Sequence, residues 1–77
     1  MRYWVKRIAL KSGEVVTERE LGKDENAFNG PVPVVGDRLT VTCRGRIFEA
    51  SVIWGNWPGR EQELDPEKIV PLRVQEI

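Results

Sequence analysis

Between Asp37 and Trp54 apolar and polar residues alternate. Leu39, Val41 and Cys43 are spaced by Arg38, Thr40, Thr42 and Arg44, and after Gly45 the residues Phe48, Ala50, Val52 and Trp54 share one face while Glu49, Ser51 and Ile53 take the other. A period of two is that of a strand with one face buried. An even-length turn keeps both apolar faces on one side of the sheet. With Gly45-Arg46 as a two-residue turn, Cys43 lies near Phe48 and Leu39 near Val52. The expected unit is a β-ribbon whose Leu39, Val41, Phe48 and Val52 enter a common core, with Trp54 on the same face.

Residues 3–10 mix aromatic, β-branched and charged side chains without a helical repeat, then meet Lys11-Ser12-Gly13 before a second β-branched run at Val15. This reads as a hairpin. A two-residue turn at Ser12-Gly13 sets Lys6 opposite Arg19, and like charges across a ladder destabilise it. A three-residue loop with Gly13 left-handed instead sets Lys6 opposite Glu18 and Ile8 opposite Val16. Tyr3 and Trp4 point to opposite sides of the first strand, which exposes one of them.

Residues 21–35 carry Gly22, Asn26, Asn29, Gly30, Pro31 and Pro33, so a long irregular connection is expected there, pinned by Phe28. Residues 55–62 hold Trp57-Pro58-Gly59-Arg60 and form a second loop. Asp65-Pro66-Glu67-Lys68 pairs a capping side chain with a proline at the first helical position, and Pro71 limits the result to a short 3₁₀ turn. The final run, 70–77, alternates with Leu72 and Val74 inward and Arg73 and Gln75 outward. Pro71 donates no ladder hydrogen bond, so this strand is expected to start at, or lie along, an edge.

Five short strands, two tight hairpins and one turn are expected to form a single all-β domain over residues 1–77, and a small closed or half-closed barrel deals with its unpaired edges. Val35-Gly36-Asp37-Arg38-Leu39-Thr40-Val41 resembles the Gly-Asp strand opening of SH3-like barrels, and the turn at residues 65–68 is similar to the one those barrels place before their last strand. The resemblance implies a small five-stranded barrel that serves as an interaction module. The chain lacks the Ala-Leu-Tyr-Asp-Tyr stretch by which signalling SH3 domains bind polyproline, and the glycine pattern of ribosome-associated KOW segments. An OB-like barrel is the competitor, but residues 37–54 leave no room for the helix that fold inserts.

Charge and composition narrow the function. Twelve basic and twelve acidic residues cancel, so no long-range field steers the chain to nucleic acid or to an anionic membrane. Histidine is absent and cysteine occurs once, which removes histidine catalysis, disulfide frameworks and the common zinc sites. No metal or other cofactor is expected. Cys43, in a buried row and without a base, reads as a small hydrophobe rather than a nucleophile. Lys6 and Arg7 interrupt the apolar start, against a secretory signal, and no run approaches the length of a membrane span. The expectation is a cytoplasmic, non-enzymatic protein.

Trp57 carries the main functional signal, because a bulky indole in a Gly/Pro loop has no strand parity to hide it. Together with Arg60, Trp54 and Tyr3 it makes a candidate surface for a protein partner or for self-association, with residues 21–35 contributing. Its structural alternative is a plug over the barrel end. A cation cage from Trp54, Trp57, Tyr3 and Phe48 falls short of aromatics, since Phe48 and Trp54 are expected inside. The alternative function is nucleic-acid binding, with Arg44, Arg46 and Arg38, joined by Arg60 and Arg73, holding phosphates beside Trp57. Against it stand the zero net charge and the nearby Glu49, Glu61, Glu63 and Glu67.

Overall fold

The computed structural model describes residues 1–22, 25–60, 64 and 66–77. Six strands and one helical turn follow in order: β1 (Arg2–Ala9), β2 (Val15–Val16), α1 (Glu18–Leu21), β3 (Ala27–Asn29), β4 (Arg38–Cys43), β5 (Arg46–Trp54) and β6 (Val70–Glu76). The molecule is all-β, a single mixed sheet ordered β2-β1-β6-β5-β4, with β3 also pairing β1. β2 pairs with the C-terminal part of β1, and β3 with its N-terminal part. The two short strands therefore share one flank of β1. The all-β fold is the one expected; the sheet does not close on itself, so it is a barrel only in the loose, half-closed sense, with β4 at its far edge.

The first hairpin has the register that charge predicts, Ile8 opposite Val16 and Ala9 opposite Val15. Gly13 takes φ +95°, and Leu10 receives and returns the closing hydrogen bonds from Gly13 and to Glu14. Lys6 does not face Glu18 in the ladder, because the chain leaves the sheet at Thr17 and turns into α1, which buries Leu21 and stops at Gly22 with φ +66°. Arg7 takes up Glu18 instead, at 3.6 Å.

The central ribbon needs one correction. Cys43 pairs with Arg46, Val41 with Phe48 and Leu39 with Ala50, so the turn is Arg44-Gly45 rather than Gly45-Arg46. Both central residues are left-handed, Arg44 at φ 52° and Gly45 at φ 77°. That is the pattern of a type I′ turn, whose twist suits a hairpin and which favours glycine second. A slip of two residues preserves parity, so Val41, Cys43, Ala50 and Val52 are buried and Leu39 and Phe48 pack partly against them.

Those side chains meet Val5 and Ile8 of β1, Val16, Leu21 and the β6 row Val70, Leu72 and Val74 in one core. Val5 and Ile8 are both fully buried although three residues apart, which a strand of strict period two cannot achieve. A bulge resolves it: Val5 pairs with Leu72 and Arg7 with Arg73, leaving Lys6 as the extra residue.

β6 lies in the middle of the sheet, parallel to β1 and antiparallel to β5, which corrects its expected place at an edge. Pro71 is tolerated because its carbonyl side faces Gly55, beyond the last β5 pair at Trp54 and Arg73, where no ladder bond is required. The approach is close enough that a Cβ on Gly55 would lie 2.2 Å from the Pro71 carbonyl oxygen. Before β6, Pro66 and Glu67 form a turn and Lys68 takes φ 63°, which ends helical geometry at once; no 3₁₀ helix forms among the described residues, and Asp65 lies outside them.

Residues 21–35 are more ordered than their glycines and prolines suggest. The Asn26 carbonyl accepts from the Val5 amide at 3.0 Å, β3 follows, and Phe28 stacks on Tyr3 with ring centroids 5.3 Å apart. The Asn26 side chain, 1% exposed, pairs with the outer edge of β4: its Nδ2 donates to the Thr42 carbonyl at 2.8 Å, and its Oδ1 accepts from the Thr42 amide at 2.9 Å. The carboxamide thus reproduces one peptide of a neighbouring strand where the sheet stays open.

Candidate functional site

The 54–60 loop is rigidly built. Trp57-Pro58-Gly59-Arg60 is a type II turn in sequence and in geometry, with Gly59 at φ 74° and the Arg60 amide donating to the Trp57 carbonyl at 3.2 Å. Asn56, 4% exposed, anchors it: Nδ2 donates to the carbonyls of Val32 and Pro33 at 3.2 and 3.1 Å, and its own carbonyl accepts from the Val35 amide at 2.7 Å. The two loops singled out in the sequence are therefore fastened together through one buried asparagine. Next to this junction Asp37 accepts the Val34 amide at 3.0 Å through its carboxylate, which explains the Gly-Asp pair at the start of β4 as a turn cap.

A second bulge decides where Trp54 points. Val52 pairs with Val74 but Trp54 pairs with Arg73, so Ile53 is the extra residue on β5. The expectation that Trp54 shares the inner face with Phe48 is thereby corrected: it stands on the outer face with Arg73. The Arg73 guanidinium lies 4.4 Å from the centroid of the Trp54 ring and the Lys6 ammonium 5.8 Å. Trp57 meets Trp54 edge to face at 5.6 Å and 85°. Both indoles are half-buried. Arg7, beside Arg73 in the ladder, adds a third cation held near Glu18.

Tyr3 does not join this cluster. It sits half-buried on the inner face against Phe28, while Trp4, paired with Pro71 on the outer face, is 6% exposed, so of the two rings of the first strand Tyr3 is partly open to solvent and Trp4 is buried. Phe48 lies under the Arg46 guanidinium at 4.8 Å, again away from Trp54. Of the four aromatics considered for a cage, only Trp54 and Trp57 converge. Arg60 is exposed at the end of the turn.

Of the arginines considered for phosphate binding, Arg44, Arg46 and Arg38 are engaged with carboxylates, whereas Arg73 lies over the Trp54 ring and Arg60 is exposed. Arg44 binds Glu14 through both terminal nitrogens and Glu20 through Nε and Nη2, at 2.6 to 3.0 Å. These bonds hold the carboxyls of Glu14 and Glu20 below the ordinary value and raise Arg44 further. Arg46 lies 3.4 Å from Glu76, which also accepts the Lys11 amide, and Arg38 lies 3.9 Å from Glu49. Glu61 and Glu63 lie outside the described residues, and Glu67 is exposed.

Burial raises the Cys43 thiol, which keeps it protonated and unreactive at neutral pH. Among the described residues no three His, Cys, Asp or Glu side chains gather around a metal position, and no helix is long and apolar enough to cross a membrane.

Lys6 and Asn56 are the site residues that sequence reasoning missed. The spacing of three between Val5 and Ile8 marks the bulge that turns Lys6 outward. Nothing local distinguishes Asn56 from an ordinary turn residue. No protein family, curated protein or solved structure matches this chain.

Proposed function

We propose that this chain is a non-enzymatic interaction module that binds a protein partner through the outer face of the sheet around Trp54, Trp57 and Arg60, with residues 32–35 as the rim. The observation that carries this reading is the Trp54–Trp57 pair, half-exposed at the end of β5 and on the following loop, whose backbone is locked by Asn56. Indoles on a rigid support lose little freedom on contact, and tryptophan is enriched where interfaces concentrate their energy. The nucleic-acid alternative has less support, because Arg44, Arg46 and Arg38 each face a carboxylate. With β6 in the centre of the sheet it offers no edge for assembly; a second copy docking on the indole face remains part of the proposal, and sedimentation of the isolated chain tests it.

The decisive variant is Trp57→Ala, compared with wild type as immobilised bait in an extract of the source cells. Truncating a half-buried ring costs about 2 kcal/mol, less than the full Trp→Ala range. The fold should survive while the captured partner is lost. Capture unchanged by the substitution refutes the reading, and a variant that no longer folds assigns the ring to the core.

A further inference from the structure

In a chain of zero net charge the placement of its carboxylates is informative. Arg7, Arg38, Arg44 and Arg46 each have one within 4 Å, the longest contact being 3.9 Å. Among the described residues Lys6 and Arg73 have none within that distance, and the side-chain partner of both is the Trp54 ring, although Glu18 lies near enough to Lys6 for that charge to help lower its carboxyl. The Arg73 Nε is buried and donates to no acceptor. Two half-buried cations with no carboxylate within 4 Å among the described residues thus converge on one indole, on the face already inferred to bind a partner.

We infer that Lys6, Arg73 and the Trp54–Trp57 pair form a docking place for an extended acidic peptide segment, a deepening that rests on the proposed function. Three arguments select this occupant. The cations are held against an aromatic face, partly dehydrated and with restricted rotamers, so an anion meets them at reduced ordering cost. Their heads lie no more than about 10 Å apart, the two centroid distances laid end to end. Alternate residues of an extended strand point the same way about 7 Å apart, so two carboxylates two residues apart span the pair. A nucleic acid fits less well: the Trp54 ring already carries two cations and meets Trp57 edge to face, and Arg38, Arg44 and Arg46 face carboxylates instead of extending a cationic track.

The test uses full-length ¹⁵N-labelled protein titrated with an end-capped peptide of alternating glutamate and alanine. A lysine–alanine peptide and an oligothymidine serve as comparisons. The expected result is a saturable shift of the Trp54 indole and Arg73 Nε resonances with a Kd of about 0.1–1 mM, as befits a few charge contacts. Binding should weaken severalfold at high salt, since half-exposed charges are screened. Lys6→Met and Arg73→Met, which keep an apolar stem over the ring, should each weaken it about fivefold or more. Should Arg73→Met fail to fold, Lys6→Met alone decides. No saturable shift, a shift indifferent to Lys6→Met, or tighter binding of oligothymidine at the same resonances each overturns the inference. Trp57-dependent capture without glutamate binding removes the acidic ligand but keeps the module; loss of both removes both.

Discussion

Asn26 offers the sharpest test of how this small sheet is held together. Replacing it by alanine removes two hydrogen bonds, at 2.8 and 2.9 Å, to the Thr42 backbone. Each is worth about 0.5–1.5 kcal/mol net, and a buried group left without its partner loses about 1–3 kcal/mol more. Thr42 is only half-buried, so water recovers part of that loss, and the lower half of the range applies. The expected destabilisation is about 2–4 kcal/mol, or roughly 10–25 °C in Tm for a domain of this size. Urea unfolding followed by tryptophan fluorescence should show a lower midpoint with an unchanged slope, and hydrogen exchange should show loss of protection at the Thr42 amide. Asn26→Asp sharpens the argument, because its carboxylate retains the acceptor for the Thr42 amide but opposes the Thr42 carbonyl. That placement raises the introduced carboxyl's folded-state pKa, so the penalty relative to wild type is full at neutral pH and shrinks as acid protonates the group. An Asn26→Ala variant within about 0.5 kcal/mol of wild type, the scatter of ordinary surface changes, refutes the seam.

Gly55→Ala should cost at least about 3 kcal/mol, since its Cβ would collide with the Pro71 carbonyl at a φ of +120°; a soluble variant with wild-type Tm would exclude that packing. Glu14, Glu18, Glu20 and Glu76 all have lowered carboxyl pKa values, so the unfolded chain binds protons first. Their stabilisation is present above about pH 4.5 and is lost as pH falls through the lowered folded values, which a Tm series from pH 6 to pH 2.5 reads directly. Arg44→Met removes the hydrogen bonds that lower Glu14 and Glu20 and should flatten that acid-side slope; an unchanged slope contradicts the assignment. Cys43, 1% exposed, should resist a thiol reagent in buffer and react at once in urea, so immediate labelling of the native protein would contradict its burial.

Side-chain parity and charge opposition made the first hairpin and both faces of the central ribbon legible in the sequence. Parity is blind to a slip of two, so the turn was displaced by one residue until left-handed geometry at Arg44 and Gly45 placed it. The bulges at Lys6 and Ile53 are where periodic reasoning fails most, because one extra residue reverses every later side chain. That reversal moved Trp54 from the expected core to the outer face and created the cation–indole cluster. Tyr3 was legible as an aromatic near the site but not as the partner of Phe28, a contact that depends on β3 returning along β1. Asn26 and Asn56 read as loop residues, and in the folded chain both are buried crosslinks between distant segments. Their partners, Thr42 for one and residues 32–35 for the other, are fixed only by tertiary structure.

The parallel pairing of β1 with β6 has a consequence for how the molecule is made. β1 waits for β6, because the position between β1 and β5 stays vacant until Val70–Glu76 emerges from the ribosome. Until then the central ribbon and the N-terminal hairpin are two separate halves, each with an open flank toward the missing strand. The sheet is therefore completed only once β6 is made, and a nascent chain stalled before Val70 presents chaperones with two unjoined pieces instead of a partly finished fold.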